Sequence, residues 1–175
     1  MEEQVLAKLL RRYAGMCRSN RIYVKPDIPW IKAVDAMAQI AHEVTDERTV
    51  LMVYDDTFFR NCSIGIVVST DAFYVRGKGS GRFRKDFLND IRLEINRDSL
   101  YIDGVHAMSF KYIKRLEQEN IRSFAMDIQA LFLGRPVPSL DRGRPPDLLA
   151  AAKAVDAAVP DDIFGLEGPK EDPRP

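Results

Sequence analysis

The chain has too few cysteines to be held together by them. There are two in 175 residues, Cys17 and Cys62, far apart and outside any Cys-x-x-Cys spacing, which gives neither a disulfide framework nor a zinc motif. An excess charge of either sign is also missing. Twenty-six basic residues face 26 acidic ones, so no global field draws the chain to nucleic acid or to an anionic membrane, and only local patches remain for that purpose. Long hydrophobic runs are absent too: the longest strongly apolar stretch, 64–68, falls far short of the ~20 residues of a membrane-spanning helix. Met1-Glu-Glu is not followed by a basic segment and an apolar core, so no signal peptide is expected. A reducing cytoplasm is the expected compartment. Neither the Walker pattern nor a nucleophile elbow occurs, and there are no internal repeats.

What is present is an ordinary globular composition, 46% hydrophobic and 30% charged. A domain of roughly 130–150 residues buries about two thirds of its unfolded surface and needs no disulfide or metal to hold it. Val5, Leu6, Leu9, Leu10 and Tyr13 recur at helical spacing, which predicts a helix over 3–14 ended by Gly15. Asp27-Ile-Pro29 offers a helix start. From Trp30 through Ile31, Val34, Met37, Ala38, Ala41 and Val44 a wide apolar stripe predicts a second helix to about Thr45, packed on a sheet. The period then becomes extended, with strands expected near 49–54, 63–69, 72–76, 82–88, 92–96, 99–103 and 105–109, and a tight turn at Asn96-Arg-Asp-Ser99. A third amphipathic helix follows over 110–133, stopped by Gly134 and Pro136.

Beyond Pro136 the composition shifts. Eight of the ten prolines lie between Pro136 and Pro175, and from Asp141 onward eight acidic residues meet five basic ones. An alanine-rich helix is expected over 148–159 and an acidic, disordered tail over 161–175. The tail carries an apolar island, Ile163-Phe164-Gly-Leu166, as a candidate partner-binding peptide. The chain thus divides into an N-terminal helix and linker (1–21), a main domain with flanking helices (22–135) and a Pro/Ala-rich, acidic tail (136–175).

Two helices, a run of short strands and a long closing helix predict an α+β fold. Its expected form is a small, bent antiparallel sheet or barrel, with two N-terminal helices and a C-terminal helix plugging the open end. One segment adds a family resemblance. Tyr54-Asp-Asp-Thr-Phe-Phe59, then Gly65, then Thr70-Asp-Ala-Phe-Tyr74, is similar to small bacterial pleckstrin-homology-like proteins. Those carry an Asp-Asp-Thr-x-Phe-Gly motif, a glycine soon after, and a Thr-Asp-x-Gly-Ile-Tyr turn. The run Ile22-Tyr-Val-Lys-Pro-Asp-Ile-Pro29 resembles theirs also, and the likeness spans about 22–115. Arg60 stands where the family has glycine, and Ala72-Phe73 replaces glycine-isoleucine. The resemblance implies a fold and, since the family has no agreed catalytic residues, little chemistry.

Three groups of residues carry candidate chemistry. Asp55 and Asp56 are paired carboxylates of the kind a metal-dependent hydrolase uses, but His42, His106, Asp90 and Asp103 stand at no ligand spacing from them. The plainer reading makes Asp55, Asp56, Thr57, Phe59 and Gly65 a structural motif that fixes a strand connection through backbone hydrogen bonds. The loop 76–85 holds Arg76, Lys78, Arg82, Arg84 and Lys85 with no acidic residue. Its glycines free backbone amides that, with these cations, would cradle a phosphate or headgroup. Cys62 follows Arg60, a neighbour able to lower a thiol pKa. No catalytic residue, metal or cofactor is assigned. The expected function is a non-catalytic interaction module with a protein partner, whose mark would be an exposed apolar patch. The alternatives are an anionic-ligand sensor at the basic loop and a hydrolase at Asp55 and Asp56.

Overall fold

The computed structural model describes residues 3–141. The elements run α1 (Glu3–Met16), β1 (Ile22–Val24), α2 (Trp30–Gln39), a single 3-10 turn (Glu47–Thr49), β2 (Val50–Asp55), β3 (Gly65–Ser69), β4 (Ala72–Gly77), β5 (Gly81–Asp86), β6 (Leu93–Asn96), β7 (Ser99–Ile102), β8 (Val105–Ser109), α3 (Arg115–Phe132) and a short α4 (Pro138–Asp141). The class is α+β and every strand pairing is antiparallel. One sheet has the order β1-β2-β3-β4-β5 and the other β6-β7-β8. The expected barrel does not close, because β5 and β6 do not pair. Between them Phe87 and Ile91 are buried, so the connection turns into the core instead of continuing the ladder.

The five-stranded sheet is covered on both faces, which explains why β2 and β3 are buried at every position. Val50, Val53, Val67, Ala72 and Tyr74 face α2, where they meet Ala36 and Ile40. Leu51, Met52, Tyr54, Ile66, Val68, Phe73 and Val75 face the larger core, shared with the second sheet, α1 and α3. Leu51 and Met52 take the same face because the β2–β3 register shifts between Val50 and Met52, as a bulge requires when one extra residue enters a strand. Tyr13 of α1 meets Phe124 of α3 edge to face at 5.0 Å. Leu9 and Val137 join this core, so α1 and the first residues past 135 pack with the central domain. The alanine-rich segment 148–159 and the apolar island at 163–166 lie outside the described residues.

Four boundaries differ from the sequence reading, the first being that helix α1 runs through Gly15 to Met16. Helix α2 stops at Gln39, with Ile40 as its C-cap; the apolar stripe continues because Ile40 and Ala41 stay buried in a turn, and His42 therefore lies beyond the helix. Helix α3 begins at Arg115 rather than Phe110. Phe110 and Ile113 are buried from a non-helical approach, and the Lys114 backbone N–H donates to Glu117 Oε2 at 3.3 Å, one half of a capping box. Strand β1 was not foreseen at all; its three residues pair with Met52–Tyr54. The Asn96–Ser99 hairpin turn forms as expected, with Arg97 at φ 52°. Among the described residues no helix is long and apolar enough to cross a membrane.

Candidate functional site

The site is built where β2 ends. Successive residues of a strand point to opposite faces, and Asp55 and Asp56 obey this. Asp55 turns toward α2. Its Oδ2 accepts from Lys32 Nζ at 2.8 Å and stands 3.5 Å from Cys62 Sγ, while its Oδ1 accepts from the Thr57 backbone N–H at 3.1 Å and the Thr57 hydroxyl at 2.5 Å. Asp56 turns to the other side, where its Oδ1 accepts from the Tyr54 hydroxyl and from the Lys111 N–H at 3.1 Å. Both are buried. The two carboxylates thus share no pocket, and each is already occupied by protein donors.

Their electrostatics diverge accordingly. For Asp55, burial pushes the pKa up, but hydrogen bonds from Lys32 and Thr57 outweigh it and hold the carboxyl below its usual value. For Asp56, burial prevails over the Tyr54 and Lys111 hydrogen bonds and raises it. Lys32 is raised in turn, because its pairing with Asp55 exceeds the opposing effect of burial. Burial, followed by the Asp55 charge, pushes the Cys62 thiol up to about 12, and burial does the same at Cys17. The Cys62 thiol is thus shifted away from thiolate, opposite to the lowering that a cationic Arg60 neighbour would give.

Gly65 belongs to the same construction. It pairs with Asp55 across the β2–β3 ladder, and a Cβ there would lie 2.0 Å from the Tyr54 carbonyl oxygen. Only glycine allows this approach. Phe59 does not share the structural role expected of it: it is 84% exposed, Phe58 is 72% exposed, and the two rings meet edge to face at 5.2 Å. The backbone beneath them is pinned. Arg21 Nη1 donates to the Thr57 carbonyl, Lys32 Nζ to the Arg60 carbonyl, and the Asn61 N–H to Thr57 Oγ1 at 2.9 Å. Arg60 and Cys62 both adopt φ 54°, a left-handed conformation that non-glycine residues hold only when their surroundings fix it.

The basic loop is dispersed by strand alternation. Arg76 Nη1 donates to the Gln39 carbonyl at 2.9 Å and Arg82 Nε to the same oxygen at 3.1 Å, so both cap the C-terminal end of α2. Arg84 pairs with Glu43 and, at 2.5 Å, with Asp86. Lys85 reaches the opposite side and pairs with Asp103 at 2.6 Å. Lys78 is exposed at the hairpin tip. Arg82, Arg84 and Lys85 therefore do not meet in one cleft. A shallow cleft of ≈ 350 Å³ beside Arg84 is lined instead by Glu43, Asp46, Asp71 and Tyr74.

The remaining candidate ligands are scattered. His106 lies on the outer face of β8, 3.2 Å from Ser109 Oγ, and Asp90 pairs with Arg135 at 2.8 Å. Among the described residues no three His, Cys, Asp or Glu side chains stand close enough to hold a metal ion. Sequence reasoning missed Lys32, which lies 23 positions from its partner Asp55. It also missed Trp30 and Ile31, which are exposed at the start of α2 although the helical stripe counted them as core. Comparisons with protein-family models, with curated proteins and with solved structures give no match for this chain.

Proposed function

We propose that this chain is a non-catalytic interaction module of pleckstrin-homology-like architecture that docks a protein partner through the end of the sheet where β2 meets β3. The architecture is supported by the order of elements: four consecutive antiparallel strands (β2–β5), three more (β6–β8), then α3 packed into the shared core. The observation that carries the docking reading is the exposed Phe58–Phe59 pair on its pinned loop. Each phenyl side chain left in water forgoes roughly 1.5–3 kcal/mol of burial. The loop nonetheless holds both outward, with Tyr112 exposed nearby and the Arg21 guanidinium 4.0 Å from its ring. Aromatic side chains of this kind are the residues that dominate protein interfaces.

The test is an affinity capture from native lysate with the full chain, beside Phe58→Ala/Phe59→Ala. The two side chains touch each other and solvent, so the variant keeps its melting temperature and loses the partner. An unchanged partner profile would refute the reading.

A further inference from the structure

We propose that the partner presents an acidic amphipathic segment, seating apolar side chains on Phe58 and Phe59 and carboxylates on Arg60, Lys78 and Lys111. This rests on the docking reading above and adds the chemistry of what is docked.

The sheet register carries the argument. Asp55 lies opposite Gly65, Gly65 opposite Arg76, and Arg76 opposite Arg82. The aromatic loop after β2 and the basic hairpin between β4 and β5 therefore leave the same end of the sheet. From β2 to β5, the outermost strands of the two, the distance is three strand spacings, about 14 Å. Helix α2 spans the gap, with Lys32 on the Arg60 carbonyl at one side and the Gln39 carbonyl accepting from Arg76 and Arg82 at the other. The approach to α3 closes the group, since the Lys111 N–H is bound to Asp56.

Charge at this end is predominantly positive. No carboxylate occurs in 57–70, 72–85 or 110–116; Asp55 and Asp56 behind them are buried and engaged, and α2 adds one half-buried acid, Asp35, whose charge reaches Cys62. Arg60, Lys78 and Lys111 are exposed. Among the described residues none of the three has a carboxylate within 4.0 Å, whereas Lys32, Arg84, Lys85, Arg92, Arg115, Arg122 and Arg135 do. An apolar centre rimmed by unpaired cations is complementary to an apolar segment rimmed by carboxylates. A bilayer is the poorer fit. Anionic membranes reward dense clusters of about four to eight basic residues, while here Arg76 and Arg82 are turned onto the Gln39 carbonyl and the three exposed cations stand on three separate elements of a chain whose charges balance. A span of about 14 Å corresponds to about nine residues of helix or four of extended chain.

The experiment replaces Phe59 by p-benzoylphenylalanine in the full chain, irradiates it in native lysate, and sequences what is attached. The same photoreactive residue at Arg11, exposed on α1, sets the background. The expected adduct is a peptide of net negative charge containing apolar residues. Its yield falls about tenfold between 50 mM and 500 mM salt, and similarly in an Arg60→Glu/Lys78→Glu background. An adduct to lipid, to a peptide of net positive charge, or one indifferent to salt overturns the acidic-segment proposal and leaves the docking reading standing. No adduct above the Arg11 background overturns both.

Discussion

Lys32 Nζ lies 2.8 Å from Asp55 Oδ2, and this one ion pair fastens helix α2 to the end of strand β2. Asp55 is fully buried, whereas the Lys32 side chain keeps 13% of its exposure. Removing the lysine leaves an uncompensated buried carboxylate, so Lys32→Met should cost about 2–3 kcal/mol, somewhat below the figure for a wholly dry pair. The pH dependence has a definite sign. The folded pKa of Asp55 is depressed, so its contribution is present above the unfolded value near ~3.9 and is lost as pH falls through the folded value. Lys32 is raised, so its contribution is present below the unfolded value near ~10.4 and is lost only as pH rises through the folded one. Urea melts across pH should therefore show Lys32→Met losing this acid-side slope. A slope identical to that of the parent chain would sink the assignment.

Asp56 responds in the opposite sense. Its pKa is raised, chiefly by burial, so the ionised form is a burden that appears as pH rises through the unfolded value and grows until the folded one is passed. Asparagine keeps an oxygen for the Tyr54 hydroxyl and the Lys111 N–H without the charge. Asp56→Asn should stay within about 1 kcal/mol of the parent at neutral pH and gain on it as pH rises from acid. Asp56→Ala leaves both donors unpaired and should lose about 1–3 kcal/mol. Equal melting temperatures for the Asn and Ala variants would refute the role given to this oxygen.

The divergence of these two neighbours was legible in outline, since consecutive strand residues must face opposite ways. Their partners were not. Lys32 sits on a helix whose period identifies its apolar face but not which charged residue that face carries to a strand end. The order of strands β2–β8 was readable because alternation and turn residues are local signals. Strand β1 was not, because three residues are too few to show a period and its existence depends on pairing with Met52–Tyr54. The end of α2 was overrun for a related reason: Ile40 and Ala41 are as buried in their turn as a helix would make them. Composition placed five cations in one loop but could not show that alternation sends Lys85 to one side and Arg84 to the other.

Two glycines with positive φ separate steric from conformational need. Gly65→Ala would drive a Cβ to 2.0 Å from the Tyr54 carbonyl, while the same change at Gly79, with φ +79°, meets open space. The Gly79 variant should lose about 1 kcal/mol, the cost of a left-handed residue. The Gly65 variant should lose about 2–4 kcal/mol, since backbone at a strand pairing must move as well. Thermal melts that rank Gly79→Ala as the worse of the two would contradict the close approach.

Charge reversal in the basic loop should divide along the same structural line. Arg84 stands between Glu43 and Asp86, with its guanidinium 5.9 Å from the Tyr74 ring. Desolvation works against its charge, but Tyr74, Asp86 and Glu43 together outweigh it and raise its pKa. Arg84→Glu would place three carboxylates together, a loss of about 1 kcal/mol because the site is partly exposed and screened. Added salt should restore part of that loss. Lys78 has no carboxylate within 4.0 Å among the described residues, so Lys78→Glu should leave the melt within about 0.5 kcal/mol of the parent. The pair distinguishes cations that hold the fold from one with no structural partner. If Lys78→Glu lowers stability as much as Arg84→Glu, Lys78 is a structural cation, and the proposed docking surface loses one of its three charges.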